Sequence, residues 1–257
     1  MSGELLLALL AAVLGAMLGS FLNVCILRWP AEQSVVRPRS RCPGCGQLIA
    51  WYDNIPIVSW LLLRGRCRRC GTGISIQYPL VELGTALIWG FLAWRYGLSA
   101  ETLSGAVFGT ILLGIAMTDA REYIIPDEFS LGGLAVGIAL SLLGGVASVL
   151  QALAGAATGF LLLWGLGVAG SKLAKKEAMG GGDIKMMAMV GAFVGWKGVF
   201  LTVFLGAVTG TLVFGPLSLM GKEKLVPFGI FLAIGAAITW LAGPEIIAWY
   251  RTFVLQA

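Results

Sequence analysis

Residues 4–27 read ELLLALLAAVLGAMLGSFLNVCIL, an apolar run with a single acidic residue at its start. A helix of about 20 mainly apolar residues crosses the hydrocarbon core of a bilayer. The stretch therefore predicts a membrane-spanning helix. No basic residue precedes it and its apolar run is long, so we expect a retained span rather than a cleaved signal peptide.

The composition of the whole chain agrees with a membrane protein. Of its 257 residues, 58% are apolar and 12% are charged, against about 45–50% and about 25% in soluble domains. So apolar a chain excludes both a soluble globule and a disordered chain. It contains no histidine, which excludes a Ser-His-Asp triad, a Cys-His protease and a histidine-ligated metal.

Apolar runs of spanning length recur along the chain, and the 37 glycines are typical of closely packed membrane helices. The sequence predicts an all-α membrane protein, a polytopic bundle of about eight transmembrane helices with one small polar insertion. The predicted spans are residues 4–27, 77–96, 101–118, 129–145, 147–170, 184–196, 199–220 and 226–250.

The basic residues are distributed unevenly between the two sides that these spans define. Of the 18 Lys and Arg residues, fifteen lie in or beside residues 28–76, 119–128, 171–183 and 221–225, and three lie in the opposite loops. The positive-inside rule places the basic segments in the cytoplasm and both termini in the periplasm. We attribute the net charge of +5 to this topology and to contact with anionic membrane lipid. No basic stretch indicates nucleic-acid binding.

Three regions follow from this pattern. Residues 1–27 form the first transmembrane helix, residues 28–76 form a cytoplasmic insertion, and residues 77–257 form the remaining membrane domain. The insertion is the one polar stretch long enough to fold outside the bilayer.

The insertion contains two C-x2-C pairs, Cys42 with Cys45 and Cys67 with Cys70. Four thiolates at this spacing suit a tetrahedral, structural Zn²⁺ ion. Two disulfides or a redox pair would be the alternatives, but a cytoplasmic location disfavours disulfides. Cys25, in the first span, is more typical of a packed apolar thiol.

Three carboxylates lie in or at the ends of predicted spans, where charge is costly. Asp119 ends the third span and Asp183 opens the sixth, so the parity of the spans places both at the same membrane face. Two adjacent carboxylates share a proton and can hydrolyse an amide without histidine. The alternatives are a helix N-cap for Asp183 and a headgroup-level charge for Asp119. Glu82 is expected to pair with a polar group of the bundle or the insertion.

The surroundings of these carboxylates allow similar alternatives. Gly180, Gly181 and Gly182 permit a substrate backbone to approach closely, or they are simply a loop. Asp127 follows Pro126 and is expected to be the N-cap of the fourth span. Glu177 and Lys185 either line the site or are solvated loop charges.

Five segments in this order resemble the bacterial type IV prepilin peptidases, which are also leader-peptide N-methyltransferases. The segments are GSFLNV at 19–24, WYDNIP at 51–56, YPLVE at 78–82, DAREYIIPD at 119–127 and GGGD at 180–183. The resemblance implies a GxGD aspartic protease of the inner membrane. It would cleave the basic leader of type IV prepilins or type II secretion pseudopilins after a glycine. It would then methylate the new N-terminus using S-adenosylmethionine.

The resemblance also implies residue roles. Asp119 and Asp183 would be the catalytic aspartates, and Cys42, Cys45, Cys67 and Cys70 the zinc ligands. Gly180, Gly182 and Lys185 would line the substrate approach. We expect Gly19, Asn23, Arg28 and Glu82 to take part in methylation.

Three acidic residues beside Asp119, namely Glu122, Asp127 and Glu128, are expected to attract the basic leader or to be solvated loop charges. The competing hypotheses for the whole chain are a GxGD protease without methyltransferase activity, an ion- or proton-coupled transporter, and a non-catalytic assembly protein.

Overall fold

The computed structural model describes residues 3–176, 179–219 and 227–253. Within these ranges the regular structure is helical, apart from two isolated β-bridges. The α-helices are α1 (Gly3–Arg28), α2 (Val58–Leu62), α3 (Gln77–Tyr96), α4 (Ala100–Glu122), α5 (Asp127–Ser141), α6 (Val146–Ala174), α7 (Gly181–Leu219) and α8 (Phe228–Phe253). Two 3₁₀ turns cover Trp51–Asn54 and Leu142–Gly144.

The chain divides into two compact units, Met1–Gly114 and Ile115–Ala257. In the first unit α1 packs against α3, and glycines set the distance between the helices. A Cβ atom on Gly15 would lie 2.6 Å from the Thr85 carbonyl oxygen, and one on Gly19 would lie 2.8 Å from the Glu82 Cα. Small residues let membrane helices approach this closely.

The second unit consists of the end of α4 and helices α5–α8. Its tightest crossing joins α6 and α7, where a Cβ on Gly155 would overlap the Gly191 carbonyl. The helical geometry of α7 is interrupted at Gly195, which has φ 71° and ψ 174°. The chain reverses direction there. The first half of α7 begins with Gly182 beside Ile125, and the second half, after the break, runs antiparallel to α8, with Gly206 beside Leu232.

The prediction of an all-α polytopic membrane protein is confirmed. Six helices in the described ranges are long and apolar enough to cross a membrane. Helix α3 has the length but a lower hydropathy, because it includes Glu82 and Arg95. The predicted sixth and seventh spans are the two halves of α7, separated at Gly195. The predicted loop at 221–225 and the candidate Glu177 lie outside the described residues.

Candidate active site

The last turn of α4 and the first turn of α7 bring Asp119 and Asp183 together. The carboxylates are close enough for their charges to interact, although 64 positions separate them in the sequence. Asp119 is buried, with 6% of its surface exposed. The backbone N–H of Gly180, in the turn before α7, hydrogen-bonds to the Asp183 carboxylate. Their role as the catalytic pair stays a prediction.

The start of α8 completes the surroundings of Asp119. The Ile230 N–H donates to Asp119 Oδ2 at 3.1 Å, and Gly229 lies against the same carboxylate. The sequence analysis missed these partners because backbone N–H groups have no residue signature. The one sequence signal was Pro227, since proline often begins a helix, and it indicates a boundary rather than a contact.

The loop between α4 and α5 packs against the glycine turn of α7. A Cβ on Gly182 would lie 3.1 Å from the Ile125 Cβ, whereas Gly181 has open space around its Cα. A Cβ on Gly180 would lie 3.5 Å from Asp183 Oδ2, an ordinary contact. Of the three glycines, Gly182 therefore has the clearest steric reason to lack a side chain.

Lys185 joins this face through an ion pair. Its Nζ atom donates to both carboxylate oxygens of Asp127, at 2.7 and 2.8 Å, and both side chains are largely exposed. The prediction that Asp127 caps α5 is wrong. Helix α5 begins at Asp127 itself, and Pro126 occupies the cap position without a side-chain hydrogen bond. The carboxylate pairs across to α7 instead. Of the other acidic candidates, Glu122 pairs with Arg121 at 3.9 Å and Glu128 is exposed.

The chemistry available to this site follows from its two acids. Two neighbouring carboxylates share one proton in their most stable state, because both cannot ionise at low cost. One can then accept a proton from water while the other donates a proton to a carbonyl oxygen.

The four insertion cysteines form a second site. Their Sγ atoms lie within 4.8 Å of one another, and those of Cys42 and Cys70 are 3.7 Å apart. Zn–S bonds of about 2.3 Å in a tetrahedron require S···S separations of about 3.8 Å. The cluster can therefore hold a metal ion.

The two cysteine pairs have the same backbone conformation. The Gly46 N–H bonds to the Cys42 carbonyl and the Gly71 N–H to the Cys67 carbonyl, and both glycines have φ near 70°. A hydrogen bond with the Thr72 hydroxyl lowers the pKa of the Cys70 thiol to about 6. Backbone N–H groups of Cys70 and Arg69 lower the pKa of Cys67. Thiolates are the form that binds a metal.

The four residues assigned to methylation lie along α1 and at its contact with α3, and their role in methylation stays a prediction. Gly19, Asn23 and Glu82 join α1 to α3. The fully buried Asn23 donates to the carbonyls of Gly19 at 3.2 Å and Tyr78 at 3.1 Å. Arg28 lies at the end of α1 and donates to the carbonyls of Ser34 and Pro38, both at 2.8 Å. The expectation that Glu82 pairs with the insertion agrees with the structure, since its Oε2 accepts the Ile57 N–H at 2.7 Å.

Arg28 borders a cavity of about 390 Å³ in the first unit. Its walls are the second half of α1 and residues 35–54, and its polar and aromatic lining consists of Ser20, Arg39, Ser40, Trp51 and Asn54 beside Phe21 and Arg28. Its volume is within the range of small-molecule sites, about 300–1,000 Å³. Neighbouring residues fix the wall, because Ser59 Oγ donates to the Tyr52 carbonyl at 2.8 Å and accepts the Ile55 N–H at 3.1 Å.

Comparisons with known proteins identify the family of the chain. Residues 13–96 match the bacterial peptidase A24 N-terminal domain, and residues 106–215 match the type IV leader peptidase family. No solved structure matches the chain.

Similar curated proteins are named prepilin leader peptidase/N-methyltransferase. The protein from Myxococcus xanthus (strain DK1622) is 42% identical over 81% of this chain and 62% of its own length. That from Stutzerimonas stutzeri is 37% identical over 88% of this chain and 81% of its own. That from Aeromonas hydrophila is 37% identical over 91% of this chain and 90% of its own. With these matches spread over both units, the chain belongs to the type IV leader peptidase family.

Proposed function

We propose that this chain is a multi-pass membrane aspartic endopeptidase that cleaves the leader of type IV prepilins or type II secretion pseudopilins and then methylates the new N-terminus. The observation that carries the peptidase half is the approach of the two helix ends that hold Asp119 and Asp183. Gly182, next to Asp183, and Gly229, against Asp119, both lie beside Ile125, and the two carboxylate charges interact. The names of the relatives support the methyltransferase half.

The peptide bond is broken by water. One carboxylate of the pair takes a proton from water as the water oxygen bonds to the scissile carbonyl carbon. The other carboxyl gives its proton to the carbonyl oxygen, which receives the displaced electron pair. The C–N bond of this tetrahedral intermediate then breaks. The leaving nitrogen takes a proton from the protonated carboxyl, and a hydroxyl of the intermediate gives its proton to the other carboxylate as the carbonyl re-forms, which restores the dyad. No metal or histidine is needed for this sequence.

The charge distribution supports a cytoplasmic site in the inner membrane. Both aspartates lie beside segments that hold fifteen of the 18 basic residues, and such segments remain in the cytoplasm. Eight crossings would put both termini in the periplasm. A prepilin presents its basic leader on the cytoplasmic side. Glu128 is exposed there, and Glu122 and Asp127 would bind the leader by exchanging their pairing with Arg121 and Lys185.

We assign the four-cysteine cluster to a structural Zn²⁺ ion. Cys42, Cys45, Cys67 and Cys70 would supply all four ligands, which leaves no open position for substrate. An insertion of this size has little core of its own, so a metal stabilises it. Arg68, between Cys67 and Cys70, also binds Asp53 in the 3₁₀ turn through two nitrogens, at 2.6–3.1 Å.

We assign the methyl donor, S-adenosylmethionine, to the cavity beside α1. The donor carries an adenine ring and a carboxylate, and the cavity offers an aromatic face at Trp51, an amide at Asn54 and a guanidinium at Arg39. When bound, the donor supplies an electrophilic methyl group. Gly19, Asn23 and Glu82 would act by holding α1, α3 and the insertion in place, and Arg28 would line the cavity.

The decisive experiment compares Asp119→Asn and Asp183→Asn with wild type in membranes. Cleavage of a prepilin and transfer of a labelled methyl group to a pre-cleaved pilin are measured separately. Both variants should lose cleavage and retain methylation, while Glu101→Gln, at the exposed start of α4, should keep both. Cleavage by either Asn variant would refute the peptidase assignment. Absence of methyl transfer by wild type would leave the protease without a methyltransferase activity.

A further inference from the structure

The first turn of α8 lies against Asp119, and neither matched family segment reaches it, because they end at residues 96 and 215. We infer that this turn is a third component of the peptidase site. Its backbone N–H groups hold Asp119 in its ionised form as the general base, and Gly229 is the residue that positions it. The inference depends on the proposed function.

The hydrogen bonds supply the first part of the argument. The Ile230 N–H donates to Asp119 Oδ2 at 3.1 Å, and the preceding residue, Gly229, lies against the same carboxylate. The first N–H groups of a helix lack partners within it, and they carry partial positive charge. A carboxylate placed there is stabilised in its charged form. Asp119 thereby caps α8 from a different helix.

The two members of the dyad differ in these bonds. Among the described residues, Asp119 accepts the Ile230 N–H from the start of another helix at 3.1 Å, whereas the N–H group beside Asp183 is that of Gly180 in its own turn. The shared proton therefore resides on Asp183. Asp119 takes the proton from water, and Asp183 gives its proton to the carbonyl oxygen.

The charged groups around Asp119 leave this asymmetry in place. Asp183 faces it from α7, and the described start of α8, residues 227–230, has no titratable side chain. From α5, Asp127 is already paired with Lys185. On α4 itself, Arg121 and Glu122 pair with each other.

The close approach of α8 requires glycine at position 229. A Cβ there would lie 2.9 Å from Asp119 Oδ2 and 2.9 Å from Ile125 Cδ1. A side chain would displace the carboxylate from the N–H groups, since the carboxylate end is the part that can move. Gly229 therefore acts on the reaction through Asp119 without touching substrate.

Gly229→Ala tests the positioning role. Its kcat/KM for a prepilin is measured against pH, beside wild type and Gly132→Ala, whose added Cβ meets nothing within 4 Å. We expect the acid limb of Gly229→Ala to move up by about one pH unit, the size of one lost hydrogen bond to a charge. Its kcat should fall at least about tenfold with little change in KM, and Gly132→Ala should match wild type.

A double variant separates the carboxylate from simple packing. Ile125→Val removes the Cδ1 atom that the new methyl group would meet, so it relieves crowding without restoring Asp119. Gly229→Ala with Ile125→Val should keep the shifted acid limb. Recovery of the wild-type pH profile, or an unshifted limb in Gly229→Ala, would overturn the inference.

Wild-type protein gives a second test that does not depend on folding of a variant. Dicyclohexylcarbodiimide reacts with protonated carboxyl groups, and peptide mapping by mass spectrometry locates the adduct. At pH 7 we expect the adduct on Asp183, and adduct mainly on Asp119 would overturn the inference. Cleavage by Asp119→Asn or Asp183→Asn would instead refute the proposed function, so the two failures are distinguishable.

Discussion

Glu82 holds a strained turn of the insertion, and this contact allows a quantitative prediction. Its Oε2 accepts the Ile57 N–H at 2.7 Å, and 6% of Glu82 is exposed. Ile57 has φ 62° and ψ −52°, and the Val58 N–H bonds to the Pro56 carbonyl at 2.6 Å. This is a γ-turn with positive φ. For a β-branched residue such a conformation costs about 1–3 kcal/mol.

Glu82→Ala should release this turn. A hydrogen bond to a charged group contributes about 1.5–3 kcal/mol, and its loss leaves nothing to oppose the strain at Ile57. Since 1.4 kcal/mol is a factor of ten, local opening should become about 10- to 100-fold more frequent. The opening should extend to Trp51 and Asn54, because Ser59 connects the turn to the cavity wall.

Two measurements check this prediction: hydrogen exchange of the backbone amides of residues 51–62, and the affinity for S-adenosylmethionine. Exchange should accelerate about 10- to 100-fold, and donor affinity should fall, while prepilin cleavage stays near the wild-type rate. Glu82→Gln retains an acceptor oxygen and should have a smaller effect. Ile57→Gly in the Glu82→Ala background should restore part of the protection, because glycine adopts positive φ freely. Unchanged exchange in Glu82→Ala, or no rescue by glycine, would refute the reasoning.

Three further predictions concern other parts of the chain. Elemental analysis of the purified protein should find one zinc ion per chain. Cys42→Ser or a chelator should remove this ion and increase amide hydrogen exchange around the two cysteine pairs, but not in α5–α8. Gly155→Ala should destabilise the protein by about 1–3 kcal/mol in thermal unfolding, because its Cβ would overlap α7, whereas Gly165→Ala has open space and should be neutral. Charge reversal of the acidic residues beside Asp119 should raise KM for a basic leader with little change in kcat, and an unchanged KM would reject their role; these residues are Glu122, Asp127 and Glu128.

The sequence predicted the helices because the signals for membrane helices are strong and local. Apolar runs of spanning length are visible in the residues themselves, and the spacing of the two cysteine pairs predicts a four-cysteine metal cluster. The turn at Gly195 was also accessible, since the apolar pattern weakens around Lys197. The parity of the membrane spans also predicts that Asp119 and Asp183 lie at the same membrane face.

Other features were not predictable because they depend on backbone atoms or on distant partners. The acceptor for Lys185 is Asp127, 58 positions away, and a cap at Asp127 was the better local reading. The sequence marks Glu82 as a buried acid but says nothing of its partner, which is a backbone N–H in a turn that isoleucine rarely adopts. The cavity likewise combines residues of α1 with a loop whose path has no periodicity.

The contact between Asp119 and α8 shows why the fold must be known before the chemistry of the dyad. Sequence parity treats the two aspartates as equivalent, since each lies at a helix end on the same membrane face. The structure distinguishes them, because among the described residues Asp119 accepts the Ile230 N–H at the start of another helix, 111 positions further along the chain. The shared proton resides on the carboxylate whose negative charge is less stabilised. Which aspartate is the acid and which is the base therefore depends on where α8 begins. The identity of the base is therefore a property of helix packing, with Gly229 as the residue that permits it.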